Sequence, residues 1–205
     1  MTGVQFTMFT STSRRISLAV ASGAGALVLL TACGGSEPPA PAAATSTATS
    51  SATSAAFNDA DVTFAQMMIP HHRQAVEMAD LAVGRAADKE IKDLAAKIKA
   101  AQDPEIQTMQ GWLQEWGKPL PTGGMDHAMP GIMSEDDMKK LAEAKGAAFD
   151  RMFAELMIAH HNGAIDMART EQQQGADPEA KELAKAIETA QQAEVAQMRA
   201  LLERL

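Results

Sequence analysis

An internal repeat constrains the fold of this chain more than any other feature of its sequence. Residues 61–116 align without a gap with residues 150–205, and 22 of the 56 aligned positions are identical. Both copies place a His-His pair among methionines, in "MMIPHHRQAVEMA" (67–79) and "LMIAHHNGAIDMA" (156–168). The sequence therefore predicts a domain built from two copies of one unit.

Each copy has the pattern of a helical hairpin. The apolar stripe of its first helix recurs at steps of three and four residues, as in Phe64, Met68, His71, Ala75 and Met78. A second apolar stripe follows in each copy, and Asp88 and Asp177 precede these segments as N-caps. Two such hairpins predict an all-α four-helix bundle.

The connection between the copies, 117–149, is long enough to cross the bundle. It contains "MSEDDMKKLAEAK", which predicts a short extra helix capped by Ser134 with Asp137. A long middle connection is typical of ferritin-like bundles. We therefore predict a duplicated ferritin-like domain over residues 57–205.

The N-terminal residues predict export and a lipid anchor. Residues 1–32 combine Arg14 and Arg15, an apolar run and small residues, which is the pattern of a secretory signal. The tetrapeptide "LTAC" resembles a bacterial lipobox, in which Cys33 is lipidated; the alternative is an ordinary signal cut near Ala32. Residues 33–56 are rich in Pro, Ala, Ser and Thr, which predicts a disordered tether. The domain is expected outside the cytoplasm, anchored to the membrane through Cys33.

Composition excludes several classes of function. The chain has 26 acidic and 18 basic residues, and two of the basic ones lie in the predicted signal, which argues against nucleic acid as a partner. Cys33 is the only cysteine, so a thiolate zinc site is excluded. No serine or threonine stands beside the histidines, and no catalytic residue is predicted. The sequence favours a protein that is not an enzyme.

The histidines are expected to pair with glutamates of the same hairpin. Folding the first hairpin about residue 86 brings Glu105 close to His71, while His72 turns toward a flank. The same register brings Glu194 close to His160. A carboxylate on an apolar stripe needs a partner because its desolvation is costly. We therefore expect each glutamate to meet the first histidine of its motif, directly or through a metal, with Gln102 and Gln191 nearby.

Two interpretations of these residues remain open. In the first, the histidines and methionines bind a metal, and Glu105, Glu194, Gln102 and Gln191 orient them. The predicted ligands are His71, His72, Met68, Met78, His160, His161, Met157 and Met167. In the second, the histidines only form structural hydrogen bonds to glutamate, and the methionines fill the core.

Methionines also crowd the middle connection. Twelve of the 14 methionines follow Cys33, and "GGMDHAMPGIM" holds Met125, His127, Met129 and Met133. Thioether and imidazole groups suit copper(I) where thiolates are lacking, and silver is expected to behave similarly, whereas iron and zinc suit this set less well. We predict a second, exposed capture site here; the alternative is that these methionines fold back onto the bundle.

The doubled motif resembles a known family. The pattern Asp-x2-Phe-x3-Met-x2-His-His-x2-Ala-x2-Met-Ala occurs from Asp61 to Ala79 and from Asp150 to Ala168, and "PGIMSEDDM" precedes the second copy. These features are similar to the bacterial DUF305 family, a domain of unknown function. The resemblance implies a ferritin-like fold, a secreted or lipid-anchored protein and copper binding in the periplasm.

Three hypotheses about function follow. The first is a lipoprotein that binds or buffers copper outside the cytoplasm, with a copper-handling protein as a partner. The second is a helical interaction module with structural His-Glu pairs. The third is a ferritin-like iron oxidase or store, although the Glu-x-x-His motif of di-iron bundles is absent.

Overall fold

Five helices make up the part of the chain that the structure describes. A computed structural model describes residues 57–122 and 129–205. The helices are α1 (Asp59–Arg85), α2 (Lys89–Glu115), α3 (Glu135–Glu143), α4 (Ala147–Gln174) and α5 (Pro178–Leu202). They confirm the two predicted hairpins and the short extra helix. The predicted signal, Cys33, the tether, Met125 and His127 lie outside the described residues.

Polar side chains fix the starts of the helices as the sequence predicts. Asp88 and Asp177 each accept hydrogen bonds from two backbone N–H groups in the first turn of α2 and α5. Ser134 accepts one from the backbone of Asp137 and caps α3. Asn58 and Asp61 form a reciprocal capping box at the start of α1. These contacts satisfy N–H groups that have no partner within the helix.

The middle connection begins and ends at opposite ends of the bundle. α2 ends beside the start of α1, where Trp116 stacks on Phe57 with ring centroids 4.9 Å apart. α4 starts at the opposite end, where the backbone N–H of Gly146 donates to the carbonyl of Arg85 over 2.8 Å. Consequently α2 and α4 run in the same direction, and α1 packs antiparallel to α4. This is the topology of a ferritin-like bundle, which confirms the predicted fold.

Two apolar cores occupy the two ends of the bundle. The upper core lies around the C-terminal half of α1 and includes Ala75, Met78, Ile91, Leu94, Ile98, Phe149, Phe153, Met157, Met198 and Leu201. The lower core lies around the N-terminal half of α1 and includes Phe64, Met68, Ile69, Ile106, Met109, Trp112, Leu113, Met167 and Ile187. All four long helices contribute to both cores. None of the described helices is long and apolar enough to cross a membrane.

Two buried aspartates tie the hairpins to each other. Asp150 on α4 accepts hydrogen bonds from the backbone N–H groups of Ala87 and Asp88, in the turn of the first hairpin. Asp61 on α1 accepts from Ala176 and Asp177, in the turn of the second. Each repeat thus caps the turn of the other, so the two copies form one interlocked domain.

We predict that Asp150→Ala lowers the free energy of unfolding by about 2–3 kcal/mol, because it leaves two backbone N–H groups without their charged acceptor. Urea unfolding of the domain measures this change. The matched control is Glu155→Ala, at an exposed position of the same helix, which should stay within about 0.5 kcal/mol of the wild type. Equal effects of the two substitutions would contradict the capping role.

Candidate functional site

A layer of polar side chains separates the two apolar cores. We call it the histidine layer; it consists of His71, His72, Gln102, His160, His161 and Gln191. The four histidines are completely buried, and the two glutamines are 2% and 3% exposed. The layer forms because the two repeats place the same polar positions at the same height. All histidines of the two motifs therefore meet in one place.

The first histidine of each motif lies where α1 meets α4. The ring centroids of His71 and His160 are 3.7 Å apart, with the rings tilted by 39°. Nε2 of His71 lies 3.1 Å from the carbonyl oxygen of Pro130. Because a carbonyl can only accept, this nitrogen carries the proton, and Nδ1 of the neutral ring keeps its lone pair. The two repeats thus share one pair of histidines.

The second histidine of each motif carries the contact to glutamate. Nε2 of His72 lies 2.8 Å from Oε2 of Glu105, and Nε2 of His161 lies 2.6 Å from Oε2 of Glu194. The two glutamates are 20% and 19% exposed and lie at the edge of the layer.

The expectation that each hairpin joins a histidine to a glutamate is confirmed, but the predicted partners His71 and His160 are wrong. The first histidine faces the other repeat across α1 and α4. The second, about 100° further around the helix, faces the second helix of its own hairpin. His72 is buried and does not turn toward an open flank.

The histidines on the α1–α4 contact are held neutral. Burial lowers the pKa of His71 from 6.5 to about 3, and the proximity of His72 adds to the shift. Burial, followed by the proximity of His71, lowers the pKa of His160 well below its usual value. Nδ1 of His71, His72 and His161 and both ring nitrogens of His160 have no hydrogen-bond partner. Buried nitrogens without partners are rare in proteins, and a bound metal is one explanation for them.

The predicted methionine ligands lie in the two cores. Met68 and Met167 belong to the lower core, and Met78 and Met157 belong to the upper core. Each is within one or two helical turns of the histidine layer along its own helix. Their burial fits the interpretation that they fill the core, and their role as ligands stays a prediction.

The end of the predicted capture loop is buried, so the expectation of an exposed site is wrong for Met129 and Met133. They are 7% and 8% exposed, which agrees with the alternative that the methionines fold back. We call residues 129–133 the strap. Gln74 holds it: its Oε1 accepts from the N–H of Met133 over 2.7 Å, and its Nε2 donates to the carbonyl of the same residue over 2.9 Å.

Carboxylates contribute little to the layer itself. Within residues 57–122 and 129–205, no three His, Cys, Asp or Glu side chains converge closely enough to hold a metal ion. Two carboxylates, from Glu105 and Glu194, reach the layer, whereas a di-iron bundle uses four. A complete ligand set at the histidines would therefore include other donors, such as thioethers.

A buried acid pair near the lower core was not anticipated from the sequence. Glu171 is 1% exposed, and its carboxyl group and that of Asp61 converge on Gly175, where a Cβ atom would overlap the Glu171 oxygen. Burial, followed by the hydrogen bond and charge of Asp61, raises the pKa of Glu171 to about 8. We assign the proton to Glu171, which donates to Asp61. The repeat did contain a signal for this pair: Glu171 aligns with Ala82 of the first copy, so the two copies differ at this position.

Comparison with known proteins identifies the family. The DUF305 family, a domain of unknown function, matches residues 61–202, and this chain belongs to it. This result confirms the resemblance seen in the doubled motif. None of the curated proteins matches the chain.

Solved structures of the family share the fold. A DUF305 fragment from Deinococcus radiodurans is 32% identical, with a TM-score of 0.67, over 72% of this chain and 98% of that one. A DUF305 protein from Streptomyces coelicolor, named as a candidate secreted protein, is 34% identical, with a TM-score of 0.65, over 70% and 91% of the two chains.

A third neighbour is a metal-binding protein. CopM in its Cu(II)-bound form is 37% identical, with a TM-score of 0.63, over 70% of this chain and 95% of that one. CopM structures with Cu(I) and with silver match as well. Relatives of this chain therefore bind copper and silver.

We predict that the domain loses stability as the pH falls from 6.5 to 5. His71 and His160 stay neutral in the folded state while the unfolded chain takes up a proton at each, so protonation favours unfolding. Each histidine contributes about 1.4 kcal/mol per pH unit well below pH 6.5. Glu171 changes the free energy of unfolding in the opposite direction. It contributes one proton, whereas the two histidines contribute two.

Urea unfolding at both pH values measures this slope. The double variant His71→Ala/His160→Ala should reverse its sign, because it removes the two histidine contributions and leaves the opposite contribution of Glu171. An unchanged slope in that variant would show that the two rings are not the source.

We predict a second loss of stability as the pH rises from 6.5 to 8. The folded state keeps a proton on Glu171 up to about pH 8, whereas the unfolded chain releases it near 4.5, so rising pH favours unfolding across that interval. Thermal melts of the wild type and Glu171→Gln test this, since the variant should show a flat profile above pH 6.5. Glu155→Gln, exposed on the same helix, serves as the control and should keep the wild-type slope.

Proposed function

We propose that this protein binds or buffers copper outside the cytoplasm, as a lipoprotein anchored through Cys33 and served by a copper-handling protein partner. Copper is the cargo, as Cu(I) or Cu(II), and silver binds similarly. The CopM neighbours and the name of the Streptomyces neighbour support both the metal and the location. The lipobox supports the anchor.

The observation that carries the proposal is the set of unsatisfied nitrogens in the histidine layer. Five buried ring nitrogens from four histidines lack partners, and so does Oε1 of Gln102 and of Gln191 in the same layer. Neutral imidazole nitrogen is a ligand for copper. The residues present therefore fit the metal that CopM carries.

The proposed ligands divide into nitrogen and sulfur donors. His71, His72, His160 and His161 supply nitrogen. Thioethers one or two helical turns away complete the set: Met68, Met78, Met157 and Met167. Glu105 and Glu194 accept hydrogen bonds from Nε2 of His72 and His161, which leaves Nδ1 of each ring to face a metal. Met125, His127, Met129 and Met133 are proposed as a second site.

One observation favours the structural alternative. The two short His-Glu contacts, 2.8 and 2.6 Å, hold each hairpin together without any metal. If that is their only role, the protein is a helical interaction module. The two functions differ in what happens when copper is added.

The deciding experiment is an anaerobic Cu(I) titration of residues 57–205 against a colorimetric chelator. We expect the wild type to withdraw copper from the chelator and the double variant His71→Ala/His160→Ala to lose this ability. The matched control is Arg73→Ala/Asn162→Ala, which alters the exposed positions two residues beyond each histidine and should bind as the wild type does. The variant Met125→Ala/His127→Ala/Met129→Ala reports on the second site.

A thermal melt with and without copper completes the test. Saturation at 100 times the dissociation constant should stabilise the wild type by about 2.7 kcal/mol. If the chelator keeps all the copper and His72→Ala/His161→Ala destabilises the metal-free domain, the histidines are structural and the copper proposal is wrong.

A further inference from the structure

The strap lies directly against the histidine layer. The carbonyl of Pro130 accepts the hydrogen bond from Nε2 of His71. Met133 lies three residues after Pro130, and Gln74 binds its backbone through two buried hydrogen bonds. Residues 129–133 therefore cover the edge of His71 and are fastened by one side chain, on the helix that carries this histidine.

Glycines let the strap approach α4 as closely as it does. Gly131 has φ +74°, and a Cβ atom there would lie 2.7 Å from the carbonyl oxygen of Ala159 and 2.9 Å from that of His160. A Cβ atom on Gly163 would overlap the carbonyl oxygen of Pro130. Glycine at both positions permits the strap to lie on the helix beside His160.

The two repeats differ at the positions that serve the strap. Gln74 in the first copy aligns with Gly163 in the second. Gln74 supplies the two hydrogen bonds to the strap. Gly163 leaves room for Pro130 to lie close to α4. A bundle that needed only two equal hairpins would have no reason for either choice. The asymmetry therefore belongs to the strap.

We propose that the strap is the gate of the histidine layer and that Gln74 is its latch. This proposal rests on the proposed function, because it concerns how copper reaches His71 and His160. At another edge the layer ends at Glu105 and Glu194, which are about one-fifth exposed and contact His72 and His161. The strap covers the edge of His71 and has no regular secondary structure; it is held by three hydrogen bonds and by burial of Met129 and Met133, the second of which packs in the upper core. Release of Gln74 breaks both hydrogen bonds to the backbone of Met133, which weakens the hold on the strap and lets Pro130 leave His71.

Opening of the gate should limit the rate of copper uptake without setting the affinity. Gln74→Ala removes two of the three hydrogen bonds and should raise the population of the open strap by about 10- to 100-fold. Gly163→Ala pushes Pro130 away from the opposite side. Because the two substitutions act on different faces of the strap, either one alone suffices for the test.

The first readout uses the metal-free domain. Diethyl pyrocarbonate modifies accessible imidazoles. Peptide mass spectrometry measures the modification of residues 67–79 separately from that of His127. We expect Gln74→Ala and Gly163→Ala to be modified at His71 about 10- to 100-fold faster than the wild type. Two controls should keep the wild-type rate. Gln66→Ala removes a glutamine of α1 that binds the connection at Pro119 and not the strap, and Gly111→Ala adds a methyl group with nothing within 4 Å.

The second readout is stopped-flow uptake of Cu(I) compared with equilibrium affinity. The gate predicts faster uptake and faster release in both strap variants, with a dissociation constant within a few fold of the wild type. If the wild type binds copper, and the wild type, both strap variants and both controls take up Cu(I) at the same rate, the gate is refuted and the copper function stands. If no copper binds, the function fails, and the modification rates still decide whether the strap covers His71. Equal modification rates in Gln74→Ala and Gln66→Ala would refute the gate.

Discussion

The contact between His71 and His160 is the constraint on which the rest of this structure depends. Two imidazole rings meet with centroids 3.7 Å apart where α1 packs on α4. Such a contact is incompatible with protonation of both rings, since two buried positive charges at this distance would repel strongly. Burial enforces neutrality, because it lowers the pKa of both rings. The same burial requires two tight apolar cores, one on each side of the layer.

Much of the fold follows from local features that a sequence displays. The repeat, the helical periodicity and the caps Asp88, Ser134 and Asp177 predict both hairpins, and the long connection predicts their topology. The partners of the glutamates could not be obtained in this way. The choice between His71 and His72 depends on the rotation of α1 against both α2 and α4, and helical periodicity supplies only the relative angle of the two side chains.

Other features were missed because composition gives the wrong expectation. A glycine- and methionine-rich segment looks exposed, yet Met129 and Met133 are buried, and Gln74 satisfies the buried backbone N–H and carbonyl groups of Met133. Glu171 looks like an ordinary helix-surface glutamate, yet it is buried against Asp61. Both features stand where the two repeats differ, at Gln74/Gly163 and at Ala82/Glu171. In a duplicated chain, shared positions build the common scaffold, and the differing positions show what each half does alone.

Burial of the histidines has two opposite effects on a bound cation. It keeps the lone pairs free of protons, because the pKa of His71 is about 3, so protons compete weakly with a metal at this ring. It also disfavours any positive charge in the layer, for the same desolvation reason that lowers the pKa. Glu105 and Glu194, about one-fifth exposed at the edge of the layer, supply negative charge next to the second pair of histidines. If copper binds here as proposed, a monovalent soft cation suits the layer best, because its charge is the smallest to be compensated and thioethers and imidazoles bind it without charge of their own.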